Sequence, residues 1–397
     1  MERDNKVMDN KKVGMAINYD YPDYGGMLQA YASFRKIRDL GYEPEAININ
    51  ALSRDIRNRK LMFFAKRILD PSIVKEKSQI VFKKIRQKLN RELKANLGKR
   101  YEAFEKFCQE KFTVSNEYES WDALSSGCRD YRAVVVGSDQ LWLPSNIAGD
   151  YYTLSFVPDD IKKIAYATSF GVSKITKGQE DKAKAYLSRI NFLSAREESG
   201  QKIIKEHTGR NVPLVCDPAL LLTADEWDDE ATPGKLINEP YIFCYFMGNN
   251  PWQREFVRSL KKLTGYKIVA LLHLDQYIRS DEEYVDYAPY DVSPADFINL
   301  VMNANYVCTD SFHGTVFSII YKRDFFTFKR FSDKATLSTN SRIDTLLGRM
   351  GLQDRLVKEG YTAKDMLSRK IDQNAVQSRL AAFREESLKY LIGALEA

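Results

Sequence analysis

An α/β fold made of two parallel-sheet domains facing each other across a cleft is predicted by this 397-residue sequence. Three observations carry that prediction. Short β-branched or aromatic runs alternate with amphipathic helical stretches, the pattern of parallel sheets covered by helices. A polar, breaker-rich stretch from Thr223 to Glu239, with Trp227, Pro233 and Gly234, divides those runs into two sets. Finally, polar and glycine-containing segments follow several runs directly, and open α/β sheets gather ligands beyond the carboxyl ends of their strands.

The predicted first domain spans 1–225, with strands at Val13–Asn18, Glu45–Ile49, Ala133–Val136, Lys163–Thr168, Phe192–Ala195 and Leu214–Cys216. Between about 53 and 110 there is no strand signal, only helical periodicity such as Phe82, Ile85 and Leu89, so this stretch reads as a helical insertion. The second domain, 226–397, is predicted to hold strands at Tyr241–Phe246, Tyr266–Leu271, Tyr306–Thr309 and Asp324–Phe328, and to end in a helix from Ala375 to Leu395.

Hydrophobic residues make up 44% of the chain and charged residues 29%, which excludes a disordered or fibrous protein. The longest apolar run, Tyr241 to Met247, is far shorter than the roughly 20 residues of a membrane span, and the polar start Met1–Lys12 is no signal peptide. Five scattered cysteines, Cys108, Cys128, Cys216, Cys244 and Cys308, never in C-x-x-C, argue against a disulfide framework and a zinc site. A reducing, cytoplasmic setting is expected. The net charge of +6 is uneven: from Arg54 to Arg100 there are 16 Lys or Arg against 4 Asp or Glu. That segment reads either as a solvated helical hairpin or as a surface for anionic lipid head groups or a phosphate-bearing acceptor; no nucleic-acid motif accompanies it.

Four segments can carry chemistry. In the first, Asn18 to Tyr31, Gly25 and Gly26 open a helix and let backbone approach a ligand, with Gln29 one turn on; a plain strand-to-helix turn is the alternative. The second, Ala133 to Trp142, is a buried strand stopping at Gly137 and then presenting Ser138, Asp139, Gln140 and Trp142. Asp and Gln suit sugar hydroxyls and Trp a ring face, unless Trp142 is simply core. In the third, Phe192 to Gly200, Arg196 stands at a strand end, placed for a phosphate or carboxylate or else paired with Glu197 or Glu198. The fourth, Tyr306 to Ile320, gathers Thr309, Asp310, Ser311, His313, Gly314 and Thr315 at a predicted helix N-terminus. Its backbone N–H groups, hydroxyls and an imidazole describe an anion pocket with an acid or base. Arg342 lies in a further polar loop before a helix.

Taken in order, Y-G-G-M-L-Q-A-Y (24–31), V-G-S-D-Q-L-W (136–142), A-T-S-F-G (167–171), S-A-R-E-E-S-G (194–200), C-D-P-A-L-L-L (216–222), T-D-S-F-H-G-T-V-F-S-I-I (309–320) and S-R-I-D-T-L-L (341–347) resemble the polysaccharide pyruvyl transferase family. The resemblance spans Val13 to about Arg355. It implies two Rossmann-like domains in a GT-B-like arrangement, the first on the acceptor side and the second on the donor side. It also implies transfer of a pyruvate ketal from phosphoenolpyruvate to a sugar of a bacterial surface polysaccharide precursor, with phosphoenolpyruvate a co-substrate and no cofactor or metal needed. His313 then takes the acid/base or phosphate role, and Arg196 the phosphate or carboxylate. Ser311, Gly314, Thr315, Asp310 and Arg342 fall to the donor, and Gly25, Gly26, Gln29, Ser138, Asp139, Gln140 and Trp142 to the acceptor. Many relatives read R-L-H-G at the histidine; Ser311 stands here in place of that arginine, so Arg342, Lys329, Arg330 or helix N–H groups must supply its charge. The implied partner is a sugar or lipid-linked oligosaccharide acceptor, with the Arg54–Arg100 segment touching an anionic inner-membrane face. Two other readings fit the same segments: a GT-B glycosyltransferase using a nucleotide sugar, and a non-catalytic glycan-binding relative. The absence of any D-x-D argues against a metal-dependent GT-A enzyme.

Overall fold

The computed structural model describes residues 10–65, 91–273, 281, 283–330 and 341–397. The helical periodicity through Phe82, Ile85 and Leu89, and residues Thr339 and Asn340 before Arg342, lie outside them.

Two five-stranded parallel sheets form the frame. The first contains β1 (Lys12–Ala16), β2 (Glu43–Ala46), β3 (Ala133–Val136), β4 (Lys162–Thr168) and β5 (Phe192–Ala195), in the order β2-β1-β3-β4-β5. The second contains β6 (Tyr241–Tyr245), β7 (Lys267–Ala270), β8 (Tyr306–Thr309), β9 (Asp324–Phe328) and β10 (Leu356–Val357), in the order β10-β9-β8-β6-β7. Ala133–Val136 and Tyr241–Tyr245 are buried along their whole length, as strands covered by helices on both faces must be. In each sheet the chain moves outward on one side and then crosses to the other, reversing between β1 and β3 and again between β6 and β8. Those reversals leave a crevice between adjacent strand ends, the place where such sheets bind ligands.

Leu214–Cys216 does not join the first sheet as a strand. Only an isolated bridge links Ala195 to Leu214, because Pro213 has no N–H to extend a ladder. β10, two residues long, carries no periodic signal that could have foretold it.

The principal helices are α1 (Tyr24–Asp39), α2 (Ser53–Ala65), α3 (Arg91–Lys111), α4 (Glu180–Arg189), α5 (Glu198–Thr208), α6 (Pro251–Thr264), α7 (Pro294–Met302), α8 (Phe312–Ile320), α9 (Ser341–Met350) and α10 (Gln373–Glu396). The described parts of the basic insertion, α2 and α3, are helical, and α3 is no solvated helix. Its Leu97, Phe104 and Phe107 are buried, and Phe104 packs on Tyr24 with ring centroids 4.7 Å apart. Tyr24 also stacks on Phe297 of the second domain at 5.0 Å and donates its hydroxyl to Val292 O at 2.8 Å. Arg100 extends from α3 into the second domain, donating to Leu272 O and Pro289 O at 2.7 Å and to Tyr290 O at 3.0 Å. α10 returns the chain to the first domain: Ser387 Oγ accepts from Cys216 N at 2.8 Å, and Arg384 Nε donates to Leu220 O at 2.6 Å. The two sheets are thus held at a fixed separation from three sides.

Arg100 is fully buried and its contacts are charge-assisted, so Arg100→Ala leaves three carbonyls with weaker partners. We expect a loss of about 2–4 kcal/mol in urea denaturation. A loss within about 0.5 kcal/mol, the range of ordinary surface substitutions, would contradict the strap role of α3.

Candidate functional site

Both strand-order reversals face the cleft between the sheets, and three of the four segments singled out in the sequence follow the strands at those points. Asn18–Gly26 follows β1, Gly137–Trp142 follows β3, and Asp310–His313 follows β8. Arg196 comes directly after β5.

Arg196 is 4% exposed and forms the centre. Its Nη1 is ion-paired with Asp217, its Nη2 lies 3.4 Å from Asp139 Oδ1, and its Nε lies 3.9 Å from Glu197 Oε2. Its guanidinium carbon sits 4.5 Å from the centre of the Phe312 ring. Arg342, from the start of α9, sets a second guanidinium over the same ring at 5.6 Å, with Nη1 3.7 Å from Asp139 Oδ1. Burial and the neighbouring Arg196 push Arg342 down to about 10, which still leaves it charged near neutrality. Arg342 thereby brings a second cation to the cleft.

His313 approaches from α8. Its Nε2 lies 3.4 Å from Asp217 Oδ2, in ion-pair reach but outside hydrogen-bond alignment. Burial pushes the Asp217 carboxyl up, but His313 and Arg196 outweigh it and hold the group well below the usual carboxylate range. Asp139 is held low in the same way, burial opposing Arg196, His313 and Arg342. Glu197 goes the other way: burial raises it more than Arg196 lowers it. Three buried nitrogens, Arg196 Nε, Arg342 Nε and His313 Nε2, have no hydrogen-bond partner. Such groups normally find one, so the cluster is built to receive an acceptor-rich, anionic group.

Gly25 is explained by the same histidine. A Cβ there would stand 2.1 Å from His313 Nδ1, so only glycine lets the imidazole rest on α1. Gly26 donates its N–H to the Asp23 carboxylate at 2.6 Å, capping α1. Gly25 and Gly26 therefore seat the histidine and the helix start.

Several residues assigned to the acceptor are placed elsewhere by the structure. Trp142 is fully buried between Phe170 and Tyr186, with Nε1 donated to Tyr152 O at 2.9 Å, so neither ring face is open to a sugar. Gln29 is also fully buried and spans Gly26 O and Ser138 N. Ser138 belongs to the charged cluster instead: its Oγ lies 3.4 Å from both Asp217 Oδ2 and Arg196 Nη1. Asp139 bridges the two arginines, and its backbone takes φ 67°, a strained setting for a side chain at a functional cleft. Gln140 packs against Gly171, where a Cβ would come within 2.3 Å of its amide.

On the donor side, Asp310 is committed to backbone. It accepts from Met247 N at 2.6 Å and Gly248 N at 2.9 Å, joining the loops after β6 and β8. Ser311 caps α8 through Gly314 N at 3.4 Å. Thr315 is fully buried on Thr327, and Gly314 is needed because Thr309 Oγ1 would meet a Cβ at 2.4 Å. These four build the platform under His313. Arg330 Nε is 4.0 Å from Asp310, and Lys329 is 3.9 Å from Asp344. Asp217, Glu197 and Asp23 were missed as site residues, although an Asp before Pro218 at a chain reversal was a usable signal. Among the described residues no His, Cys, Asp and Glu group is arranged to hold a metal.

The model of the polysaccharide pyruvyl transferase family matches residues 23–330, which include His313, Arg196 and Asp217. The chain belongs to that family. Among solved structures, this pyruvyl transferase family member is similar to the UDP-GlcNAc 2-epimerase of Neisseria meningitidis bound to UDP-GlcNAc, with TM-score 0.52, 10% identity and 97% of this chain and 99% of that one covered. The UDP-N-acetylglucosamine 2-epimerase of Rickettsia bellii gives TM-score 0.50 and 10% identity, over 97% and 96% of the two chains. At that identity the likeness is one of fold, the two-domain GT-B-like arrangement. No curated protein sequence matches the chain.

Asp217 titrates lower in the folded protein than in the unfolded chain, so its stabilisation is present above the unfolded carboxyl value of about 4 and is lost as pH falls below it. Asp217→Asn also strands Arg196, and near neutral pH we expect it to cost about 3–5 kcal/mol in urea denaturation. The gap between the two proteins should begin to narrow near about pH 4 and go on narrowing through about pH 2. A gap unchanged over that range would show that Asp217 is not charged in the native cleft.

Proposed function

We propose that the protein transfers a pyruvate ketal from phosphoenolpyruvate to a sugar of a surface polysaccharide precursor. The observation that carries this reading is the set of unpartnered nitrogens on Arg196, Arg342 and His313, brought by both domains to one point in the cleft. Phosphoenolpyruvate carries a phosphate and a carboxylate on one carbon, and two planar guanidinium forks suit that pair.

In this reading Arg196 and Arg342 hold the two anionic groups while His313 delivers a proton to C3. C2 becomes electrophilic, one sugar hydroxyl adds with loss of its proton, phosphate departs, and a second hydroxyl of the same sugar closes the ketal with loss of its own. One proton is taken up at C3 and two are released, one leaving with the phosphate as hydrogen phosphate. Asp217 is the positioning residue, its Oδ2 standing 3.4 Å from His313 Nε2.

Isothermal calorimetry should show phosphoenolpyruvate binding to the wild type. His313→Ala and Arg342→Lys should each weaken it about 10–100-fold, the worth of a charge-assisted hydrogen bond, with unchanged circular dichroism. Binding of UDP-GlcNAc without phosphoenolpyruvate binding would replace this reading with a nucleotide-sugar transferase. Binding of neither would favour the non-catalytic relative.

We further propose that the enzyme works against an anionic membrane surface carrying a lipid-linked acceptor. No helix among the described residues is long and apolar enough to cross a membrane. On α2, however, Leu61 and Met62 are 55% and 57% exposed, and Arg54 and Arg57 are exposed on the same helix. Arg59 and Lys60 instead point home, bonded to Asp150 and Asn146. Vesicles containing phosphatidylglycerol should co-sediment the protein at low salt. Arg54→Glu/Arg57→Glu should reduce the bound fraction several-fold, each basic residue near such a surface being worth about 1 kcal/mol. Equal binding to purely zwitterionic vesicles would sink the idea.

A further inference from the structure

A second buried imidazole lies on the cleft side of the same domain as His313. His273 follows β7, and its side chain is 2% exposed. Its Nδ1 faces Asp281 Oδ2 at 2.8 Å, while Asp281 Oδ1 accepts from Arg254 Nε at 2.9 Å. Arg254 is fixed in turn: it donates to Gly248 O at 2.7 Å and Asn250 O at 3.2 Å and lies over the Phe246 ring at 4.9 Å. A carboxylate clamped by an arginine accepts a hydrogen from the imidazole, so in the neutral ring Nδ1 carries it and Nε2 presents its lone pair. That Nε2 is buried without a hydrogen-bond partner.

The imidazole borders a cavity of about 80 Å³ between the domains, walled also by Tyr21, Asp23, Tyr24, Phe246 and Met247. Arg100 reaches this wall too, but its guanidinium is spent on three backbone carbonyls. The cavity therefore offers acceptors, the His273 lone pair and the Asp23 carboxyl, among aromatic and aliphatic walls. Burial raises Asp23, and the nearby Asp139 raises it further. Such a cavity rejects anions and accepts a neutral group that donates hydrogen bonds from a carbon skeleton. Asp23 is two residues before Gly25, on which His313 rests, so the cavity adjoins the charged cluster.

We infer that this cavity is a hydroxyl subsite for a neutral sugar, with His273 Nε2 accepting from one hydroxyl. Its volume is well below the roughly 300–1,000 Å³ of pockets that enclose a whole ligand, so it fits one arm of a sugar rather than the ring. That the sugar is the pyruvylation acceptor rests on the function proposed above; that the cavity takes a hydroxyl does not. Another cavity, of about 490 Å³, lies at the opposite ends of the strands, beside Pro240, Asn305 and Asp324, and shares no residue with this cluster.

The chain has three histidines, so ¹⁵N-histidine labelling of the full protein gives a spectrum that substitution can assign. The probes are methyl β-galactoside, methyl β-glucoside and methyl α-mannoside, each with free 4- and 6-hydroxyls, and phosphoenolpyruvate separately. We expect His273 Nε2 to resonate as unprotonated and to shift with at least one glycoside at up to about 100 mM, while phosphoenolpyruvate moves His313 alone. His273→Gln should weaken that glycoside about tenfold and leave phosphoenolpyruvate affinity within about twofold. A protonated Nε2, no shift from any of the three glycosides, or unchanged glycoside affinity in the variant would each overturn the subsite. A His273 shift in a protein that ignores phosphoenolpyruvate would keep the subsite and reject the pyruvyl transfer.

Discussion

A guanidinium withdrawn from water must be surrounded by charge of the opposite sign, and the burial of Arg196 imposes that requirement on the whole cleft. Asp217, Asp139 and Glu197 meet it, each from a different segment of the chain. Once those carboxylates are in place they exceed what a single arginine can balance. Arg342 and His313, delivered from the second domain, redress the difference. The domains are therefore joined electrostatically through the site as well as mechanically through Tyr24, Arg100 and α10. Neither half could hold its own charges in a dry interior alone.

The platform around this cluster consists of residues whose polar groups are consumed locally. Asp310 braces the loop after β6, Ser311 caps α8, and Thr315 pairs with Thr327. Their contribution is rigidity: each fixes the backbone from which His313 projects. A glycine at 314 and another at 25 remove the two side chains that would displace that loop or the imidazole.

Much of the fold was legible because parallel strands buried on both faces leave continuous apolar runs, and β3, β5, β8 and β9 fall where the runs predict. The polar segments after strands likewise pointed to the right ends of both sheets. What could not be read was direction. Trp142, in the loop after β3, and Gln29, on α1, have the residue types of a sugar site, yet residue type does not fix which way a side chain points, and both turn inward. Asp217 was hidden for another reason: its partner Arg196 is 21 residues away in sequence, and nothing local shows that the two meet. His273 sits beside no motif, and its meaning depends on Asp281 and Arg254 converging in space.

The rest of the imidazole on Gly25 couples chemistry to the spacing of the halves. The imidazole belongs to one domain and its seat to the other, so any parting of the two removes the support that fixes the ring. With the two sheets apart, the ring would lose that seat and its place 3.4 Å from Asp217, so the geometry of the charged cluster exists only while both halves meet. The position of the ring is then set by a contact with no polar atom on the glycine side, through the absence of a single methyl group.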